Sequence, residues 1–181
     1  MNVEETALPG VLLITAKIHR DNRGAFHESF NLRRMAELGL PVNWAQDNFS
    51  ESSKNVVRGI HYQTIQPQGK LVSVVYGAVL DVAVDLRKSS PAFGRHVAVE
   101  LSGGSGRMLW IPEGFGHGFL VLSESAGFAY KVTDYYSAAG ERTIAWNDPD
   151  LAIPWPVKAE DVIVSAKDAA GSLLRDAEVF P

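Results

Sequence analysis

Short apolar segments separated by turn residues fill the middle of the chain and predict β-strands. Residues 96–101 alternate between apolar and polar strictly enough for a half-buried strand, and the glycine-rich residues 102–106 follow as a loop. Further strands are predicted over residues 71–76, 79–86, 108–111, 118–122 and 127–132. Their close spacing favours a sandwich or a barrel over β-α-β units. The pattern therefore predicts a mainly β, barrel-like domain.

Helical signals are scarce. Residues 31–38 combine an asparagine at the N-cap position with Gly39 as a stop signal, which predicts one short helix. A second short helix is predicted over residues 169–177. We expect a single domain over residues 1–181, with a barrel core over residues 44–147 and a C-terminal segment, residues 148–181, that packs back on the barrel.

Composition narrows the class of protein. The chain has 181 residues, of which 46% are hydrophobic and 21% charged, as expected for one globular domain. No apolar run approaches the roughly 18 residues of a membrane span. The acidic start of the chain carries no apparent export signal, and the absence of cysteine fits a reducing compartment, so we expect a cytoplasmic protein. The net charge of −4 argues against a nucleic-acid partner.

Two histidines in unlike settings are the first candidates for chemistry. His117 ends a P-x-G-x-x-H pattern that is typical of cupin barrels, and it either fills a polar niche in a hairpin or belongs to a site. His61 is either an ordinary turn residue after a strand or a general base, since imidazole exchanges protons near neutral pH. A metal-binding cupin would place a second histidine at position 63, where this chain has Gln63. A protein metal site needs three or four ligands, so we expect no metal here.

Other polar residues allow two interpretations each. Asp168 follows Ser165 at capping-box spacing, so it either opens the last helix or turns back to orient His61. Tyr130 is either a core residue or an inward phenol that acts as an acid. Tyr135 and Tyr136 have the character of a surface pair. Residues 21–24 are most simply a turn before a strand, and residues 46–48 a polar loop.

A series of ordered motifs covers nearly the whole chain, from about residue 9 to residue 174: DNRG at 21–24, FHES at 26–29, QDNFS at 46–50, VRGIHYQ at 57–63, QGKLV at 68–72, WIPEGFGHGF at 110–119, YK at 130–131, YY at 135–136, WND at 146–148 and SAKD at 165–168. In content and order these motifs resemble the dTDP-4-dehydrorhamnose 3,5-epimerase family. The resemblance implies a cupin-like double-stranded β-helix, or jelly-roll barrel, with a few short peripheral helices. It also implies a homodimer without metal or organic cofactor.

The resemblance implies a role for each matching residue. His61 would be the base, Asp168 its partner, and Tyr130 the acid on the opposite face of the sugar, while Lys70 would stabilise the enolate oxygen. Arg58 and His117 would help hold the substrate. Tyr136 would stack on the thymine. The nucleotide portion would be bound by Arg23, Glu28, Gln46, Asp47, Asn48, Glu141 and Lys167, with Arg23 and Glu28 supplied by the neighbouring subunit.

The implied reaction is epimerisation at C3 and C5 of dTDP-4-dehydro-6-deoxy-D-glucose, which gives dTDP-4-dehydro-L-rhamnose for dTDP-rhamnose biosynthesis. The residues suit that chemistry, because a ketone acidifies the protons on both neighbouring carbons and a general base can remove them. Three alternatives stay open at this point. They are a monofunctional 3- or 5-epimerase of an antibiotic-sugar pathway, a metal-dependent cupin enzyme, and a non-catalytic sugar-binding module.

Overall fold

The computed structural model describes all 181 residues and consists mainly of antiparallel β-strands. The larger of its two main sheets contains six strands: β1 (Asn2–Glu5), β2 (Leu12–Thr15), β5 (Gln46–Ser53), β7 (Lys70–Tyr76), β10 (Arg107–Ile111) and β12 (Ser125–Val132). Their spatial order is β1-β2-β10-β7-β12-β5. This first sheet thus includes two N-terminal strands that precede residues 44–147.

The second sheet contains five strands: β6 (Val57–Gln63), β8 (Ala78–Asp85), β9 (His96–Ser102), β11 (Phe115–Val121) and β13 (Glu141–Thr143). Their spatial order is β13-β6-β11-β8-β9. A separate hairpin is formed by β3 (Ile18–Asp21) and β4 (Gly24–His27). The helical elements are α1 (Leu32–Glu37), α2 (Ala166–Ala169) and two 3-10 helices, Ala159–Asp161 and Leu174–Asp176. None of the helices is long and apolar enough to cross a membrane.

The main hydrophobic core is shared by the two large sheets. It joins side chains of the first sheet, such as Val72, Leu109 and Phe128, to side chains of the second, such as Val79 and Phe119. Burial of such side chains stabilises the fold by about 1.5–3 kcal/mol each. The two sheets therefore enclose a common interior.

The outer faces of the two sheets are covered by different parts of the chain. Met35 of α1 packs against Met108 and Trp110 on the outside of the first sheet. Ile153 and Leu174 of the C-terminal segment pack against the outside of the second sheet. That segment also forms single β-bridges with the barrel strands or their flanks: Val56 with Ile163, Arg87 with Phe180 and Ile144 with Ser172.

The period of two along each strand carries several polar side chains to the inner faces. Lys70 lies two residues before the core residue Val72, and Tyr130 two residues after the core residue Phe128. On the second sheet, His61 alternates with Ile60 and Tyr62, which pack on the outer face. By the same alternation the inner faces also carry Asp81 and His117.

The structure confirms the predicted mainly β, cupin-like fold. All six predicted strands are present with small changes at their ends, and residues 21–24 form the expected turn before a strand. Helix α1 also agrees with the prediction, since the Asn31 side chain accepts a hydrogen bond from the backbone N–H of Arg34. His61 lies within strand β6 rather than in a turn after a strand, and His117 lies within β11.

The helix predicted over residues 169–177 is wrong. Helix α2 ends at Ala169, and only Leu174–Asp176 forms a further 3-10 turn. The chain leaves the helix at Gly171, where an added Cβ would lie 2.8 Å from the backbone nitrogen of Ala145. The backbone N–H of Ser172 then donates to the carbonyl of Thr143. Backbone pairing with the barrel therefore replaces helix continuation.

The loop predicted over residues 46–48 is also wrong. Gln46, Asp47 and Asn48 begin strand β5 and pair with residues of β12. These residues are polar because β5 is an edge strand with one largely exposed face. The sequence pattern alone gave no apolar alternation by which to recognise the strand.

Candidate active site

His61 and Asp168 form a close pair between strand β6 and helix α2. The Nε2 atom of His61 lies 2.5 Å from Oδ1 of Asp168, and the Asp168 residue is only 3% exposed. Burial raises the pKa of Asp168, but the hydrogen bond and the charge interaction with His61 outweigh it and lower that pKa below its ordinary value. The carboxylate therefore holds a proton on Nε2 and leaves Nδ1 of His61 free to accept one.

Both interpretations of Asp168 are compatible with this geometry. The Ser165 hydroxyl caps α2 by accepting a hydrogen bond from the backbone N–H of Asp168, while the Asp168 side chain turns toward the barrel. Its Oδ2 atom accepts a second, longer hydrogen bond from the backbone N–H of Gly59, at 3.4 Å. The cap thus fixes the helix that carries the carboxylate to His61.

His117 is held by a second buried carboxylate. Its Nε2 atom lies 2.9 Å from Oδ2 of Asp81, and Asp81 is completely buried. Burial lowers the pKa of His117 despite the opposing effect of Asp81, so the ring is neutral at neutral pH. In the sheet, His117 pairs directly with His61 across β11 and β6. The two histidines therefore lie side by side, each with its own carboxylate.

Lys70 is the buried cation of this cluster. Its Nζ atom donates to the backbone carbonyl of His61 at 3.4 Å. Burial lowers the pKa of Lys70 to about 8, while the charges of Asp81 and Glu141 act in the opposite direction. A lysine with this pKa is mostly protonated at neutral pH, so it can stabilise a negative oxygen in the interior.

Tyr130 faces the same interior from the first sheet. Burial raises its pKa, with the charge of Arg58 acting in the opposite direction, so the phenol keeps its proton at neutral pH. Arg58 is an exposed residue of β6, and its Nε atom donates to the Ser52 hydroxyl at 2.9 Å. An open pocket beside the His61–Asp168 pair is lined in part by Arg58 and Lys167.

Three predicted nucleotide-site residues are connected to each other. The Tyr136 hydroxyl donates to Oε2 of Glu141 at 2.8 Å, and Lys167 forms an ion pair with the other oxygen of Glu141. Burial raises the pKa of Glu141, but the hydrogen bonds from Lys167 and Tyr136 outweigh it and lower that pKa below its ordinary value. The Tyr136 side chain remains more than half exposed and available for stacking.

The residues at the start of β5 lie next to this group. Gln46 donates to the Asn48 side chain at 2.7 Å and accepts a 3.4 Å hydrogen bond from the backbone N–H of Tyr136. Asp47 forms an ion pair with Lys131. The structure thus connects Gln46 directly to the loop that carries Tyr136.

Arg23 and Glu28 are the predicted site residues that this chain does not bring to the cluster. Arg23, on the β3–β4 hairpin, pairs only with Asp21, and its side chain is 85% exposed. Glu28 pairs with Arg34 and accepts a hydrogen bond from Asn31 at the start of α1. Neither residue forms a hydrogen bond or an ion pair with the residues around His61 and His117.

Two residues of the site received no role in the sequence analysis. Asp81 lies inside the strand predicted over residues 79–86, where a carboxylate in an apolar strand is a signal for a buried partner. Gln63 was only the missing metal ligand, yet its side chain is buried and fully hydrogen bonded. No group of three or more His, Cys, Asp or Glu side chains is arranged to hold a metal ion.

Comparison with known proteins identifies the family. The family model described as dTDP-4-dehydrorhamnose 3,5-epimerase matches residues 5–176. The chain belongs to the dTDP-4-dehydrorhamnose 3,5-epimerase family. The epimerase of this name from Pseudomonas aeruginosa is 48% identical over 182 residues, and the match covers both chains in full. The prediction of an epimerase, and hence of an isomerase, is confirmed.

A solved structure and a more distant relative extend the comparison. The crystal structure of dTDP-6-deoxy-D-glucose-3,5-epimerase from Legionella pneumophila, in complex with dTDP-4-keto-L-rhamnose, is similar with a TM-score of 0.94. It is 52% identical, and the match covers 98% of this chain and 94% of that one. A dTDP-4-dehydrorhamnose 3-epimerase from Streptomyces niveus is 39% identical, and the match covers 100% of this chain and 89% of the relative.

Proposed function

We propose that this 3,5-epimerase family member inverts C3 and C5 of dTDP-4-dehydro-6-deoxy-D-glucose and so produces dTDP-4-dehydro-L-rhamnose for dTDP-rhamnose biosynthesis. One observation carries the mechanism: the candidate base and the candidate acid project into the interior from opposite sheets. His61 belongs to β6 of the second sheet and Tyr130 to β12 of the first. A sugar ring bound between the sheets has one of these groups on each face.

His61 is the base in this proposal. Its Nδ1 atom removes the proton from C3 or C5, and the electron pair of that C–H bond moves into an enolate that ends on the C4 oxygen. The adjacent Asp168 carboxylate stabilises the imidazolium that results. A positioned base of this kind contributes roughly 10²–10⁴-fold to the rate.

Lys70 stabilises the enolate. Its ammonium group is buried beside the carbonyl of His61, where a charge interacts more strongly than in water. His117 is neutral and its Nε2 atom faces Asp81, so its other ring nitrogen accepts a hydrogen bond from a substrate hydroxyl. Both residues act without changing their own protonation state.

Tyr130 completes each inversion as the acid. Its raised pKa keeps a proton on the phenol until the enolate carbon takes it from the face opposite His61. The proton removed by His61 and the one given by Tyr130 balance, and exchange with water returns both groups to their starting states. No metal or organic cofactor takes part in these steps.

The nucleotide portion binds outside the catalytic cluster. Tyr136 stacks on the thymine, and Glu141 and Lys167 contact the nucleotide together with the β5 residues Gln46, Asp47 and Asn48. Arg58 binds the anionic end of the sugar nucleotide, which explains a guanidinium beside the pocket of an acidic protein.

Two subunits complete the site in this proposal. Arg23 and Glu28 lie away from the cluster of their own chain, and the β3–β4 hairpin exposes both Arg23 and the ring of Phe26. A homodimer in which this hairpin reaches the neighbouring site would bring Arg23 to the nucleotide. The cysteine-free composition supports a cytoplasmic location for such an enzyme.

The His61→Asn variant tests the function. It should lose turnover of dTDP-4-dehydro-6-deoxy-D-glucose while its Kd for dTDP stays within about threefold, because the base does not contact the nucleotide. His96→Asn, on strand β9, is the matched control and should retain full activity. Wild-type protein that binds dTDP-sugars without turning them over would instead establish a binding module.

A further inference from the structure

Gln63 makes a hydrogen-bond pattern that the reaction itself does not require. Its side chain ends β6 and is buried, with the residue only 5% exposed. The Nε2 atom donates to the carbonyl of Gln66 at 2.7 Å and to the carbonyl of Tyr135 at 3.2 Å. The Oε1 atom accepts from the backbone N–H of Ser137 at 3.0 Å. Both ends of the amide are therefore used.

These hydrogen bonds lie on either side of Tyr136, the residue that is proposed to stack on the nucleobase. Residues 133–140 connect β12 to β13, and we call them the tyrosine loop. Gln63 holds this loop at Tyr135 and at Ser137, on either side of Tyr136. The Tyr136 ring remains more than half exposed, while its hydroxyl donates to Glu141. Only the backbone is clamped, and the ring is left free to contact a ligand.

The chemistry of the side chain suits this task. A primary amide offers two N–H donors and one carbonyl acceptor on a single planar group. A histidine at this position would offer at most one donor together with one acceptor, so it could not satisfy two carbonyls and an N–H. A glutamate would have no donor for the carbonyls of Gln66 and Tyr135.

We propose that Gln63 is a positioning residue for nucleotide binding, which fixes the tyrosine loop so that Tyr136 is preset to stack on the nucleobase. The inference rests on the proposed function, because it assumes that Tyr136 contacts the thymine. Because a preset loop does not have to be ordered when the ligand binds, the entropy cost of binding is smaller and the affinity is higher. Loss of the clamp therefore reduces the fraction of molecules that are ready to bind.

The test compares dTDP binding and steady-state kinetics in Gln63→Glu and Gln63→Met. Both should raise the Kd for dTDP and the KM by about 10- to 100-fold, with kcat at saturating substrate within about threefold. Gln63→Met keeps the side-chain length without the hydrogen bonds, and it replaces Gln63→Glu if the buried charge prevents folding. Circular dichroism establishes that each variant is folded.

Two further variants separate positioning from general damage. Lys54→Ala removes an exposed ion pair with Glu124, outside the tyrosine loop, and should change the Kd by less than about twofold. In a Tyr136→Ala background, Gln63→Met should add less than about a twofold loss, because the clamp then has no ring to position.

The outcomes distinguish the inference from the function. A folded Gln63→Met variant that binds dTDP as tightly as the wild type overturns the inference, as does a loss in kcat alone. So does a full additional loss of affinity in the Tyr136→Ala background. Wild-type protein that fails to turn over the substrate overturns the proposed function instead, whatever the variants do.

Discussion

At the scale of single residues, buried carboxylates determine which nitrogen of each histidine can react. Asp168 lies against Nε2 of His61, and Asp81 lies against Nε2 of His117. The second oxygen of Asp81 is buried without a hydrogen-bond partner in the chain, and the charge interaction with Asp81 raises the pKa of Lys70 against the larger effect of burial. The neighbouring carboxylate thus selects the tautomer of each histidine.

Replacing Asp168 by asparagine should lower kcat by roughly 10²–10⁴-fold, because the amide neither fixes the tautomer of His61 nor stabilises its charged form. The measurement is steady-state turnover together with the Kd for dTDP, which should change little. Asp176→Asn alters an exposed carboxylate in the 3-10 helix and should keep wild-type kcat. Equal rates for Asp168→Asn and the wild type would remove Asp168 from the mechanism.

The pKa of Lys70 predicts a basic limb in the pH profile. Because burial lowers this pKa to about 8, the ammonium loses its proton above that pH and kcat/KM should fall there. Arginine stays protonated at much higher pH, so Lys70→Arg should move the limb upward even if its rate at pH 7 is lower. An unchanged basic limb in Lys70→Arg would assign that limb to another group.

At the scale of elements, the site depends on how closely β6 approaches β11. Their register shifts between His117 and Phe119, next to the pairing of His117 with His61. An added Cβ on Gly118 would lie 2.7 Å from the carbonyl oxygen of Arg58. Glycine is required there because the two backbones leave no room for a side chain.

Gly118→Ala should therefore separate the two strands, destabilise the fold by about 1–3 kcal/mol and lower kcat at least roughly tenfold. Denaturant unfolding and turnover measure the two effects. Gly104→Ala is the control, since nothing lies within 4 Å of its added Cβ, although its positive φ costs some stability. The control should keep wild-type kcat. A fully active Gly118→Ala would show that strand separation does not affect the site.

The sequence pattern predicted the strands that carry the site better than it predicted which of their side chains pair with each other. Alternation within a strand is local, so it revealed the strand around residues 79–86 and its polar positions. The pairing of Asp81 with His117 spans 36 residues, and that of His61 with Asp168 spans 107. Such contacts depend on the order of the strands in the sheet, and the period of apolar residues along one strand does not reveal that order. The first pairing was missed, while the second was one of two open alternatives.

Across the whole molecule, the outer faces of the two sheets are covered by other segments of the same chain, whereas the β3–β4 hairpin is not covered. Helix α1 covers the first sheet, and the C-terminal segment covers the second and delivers Asp168. The β3–β4 hairpin remains exposed, with the Phe26 side chain 71% accessible. An exposed hairpin that carries Arg23 is the feature that the proposed dimer explains.

Mixing two defective subunits tests that dimer. Arg23→Ala and His61→Asn should each be nearly inactive at low substrate concentration. After subunits are exchanged by mixing, a hybrid dimer has one site with both residues intact, so about a quarter of wild-type sites should be recovered. Light scattering should give the mass of a dimer throughout. No recovery in mixtures that contain hybrid dimers would place Arg23 and His61 of one chain in the same site.

Inversion at both C3 and C5 requires the protein to exchange protons at the two carbons beside the ketone. The most direct measurement is deuterium incorporation, followed by nuclear magnetic resonance, when dTDP-4-dehydro-6-deoxy-D-glucose and the protein are mixed in D₂O. We expect deuterium at both C3 and C5 with the wild type, and at neither position with His61→Asn. Exchange at C3 alone would indicate a 3-epimerase, and no exchange at either carbon would show that the protein is not an epimerase of this substrate.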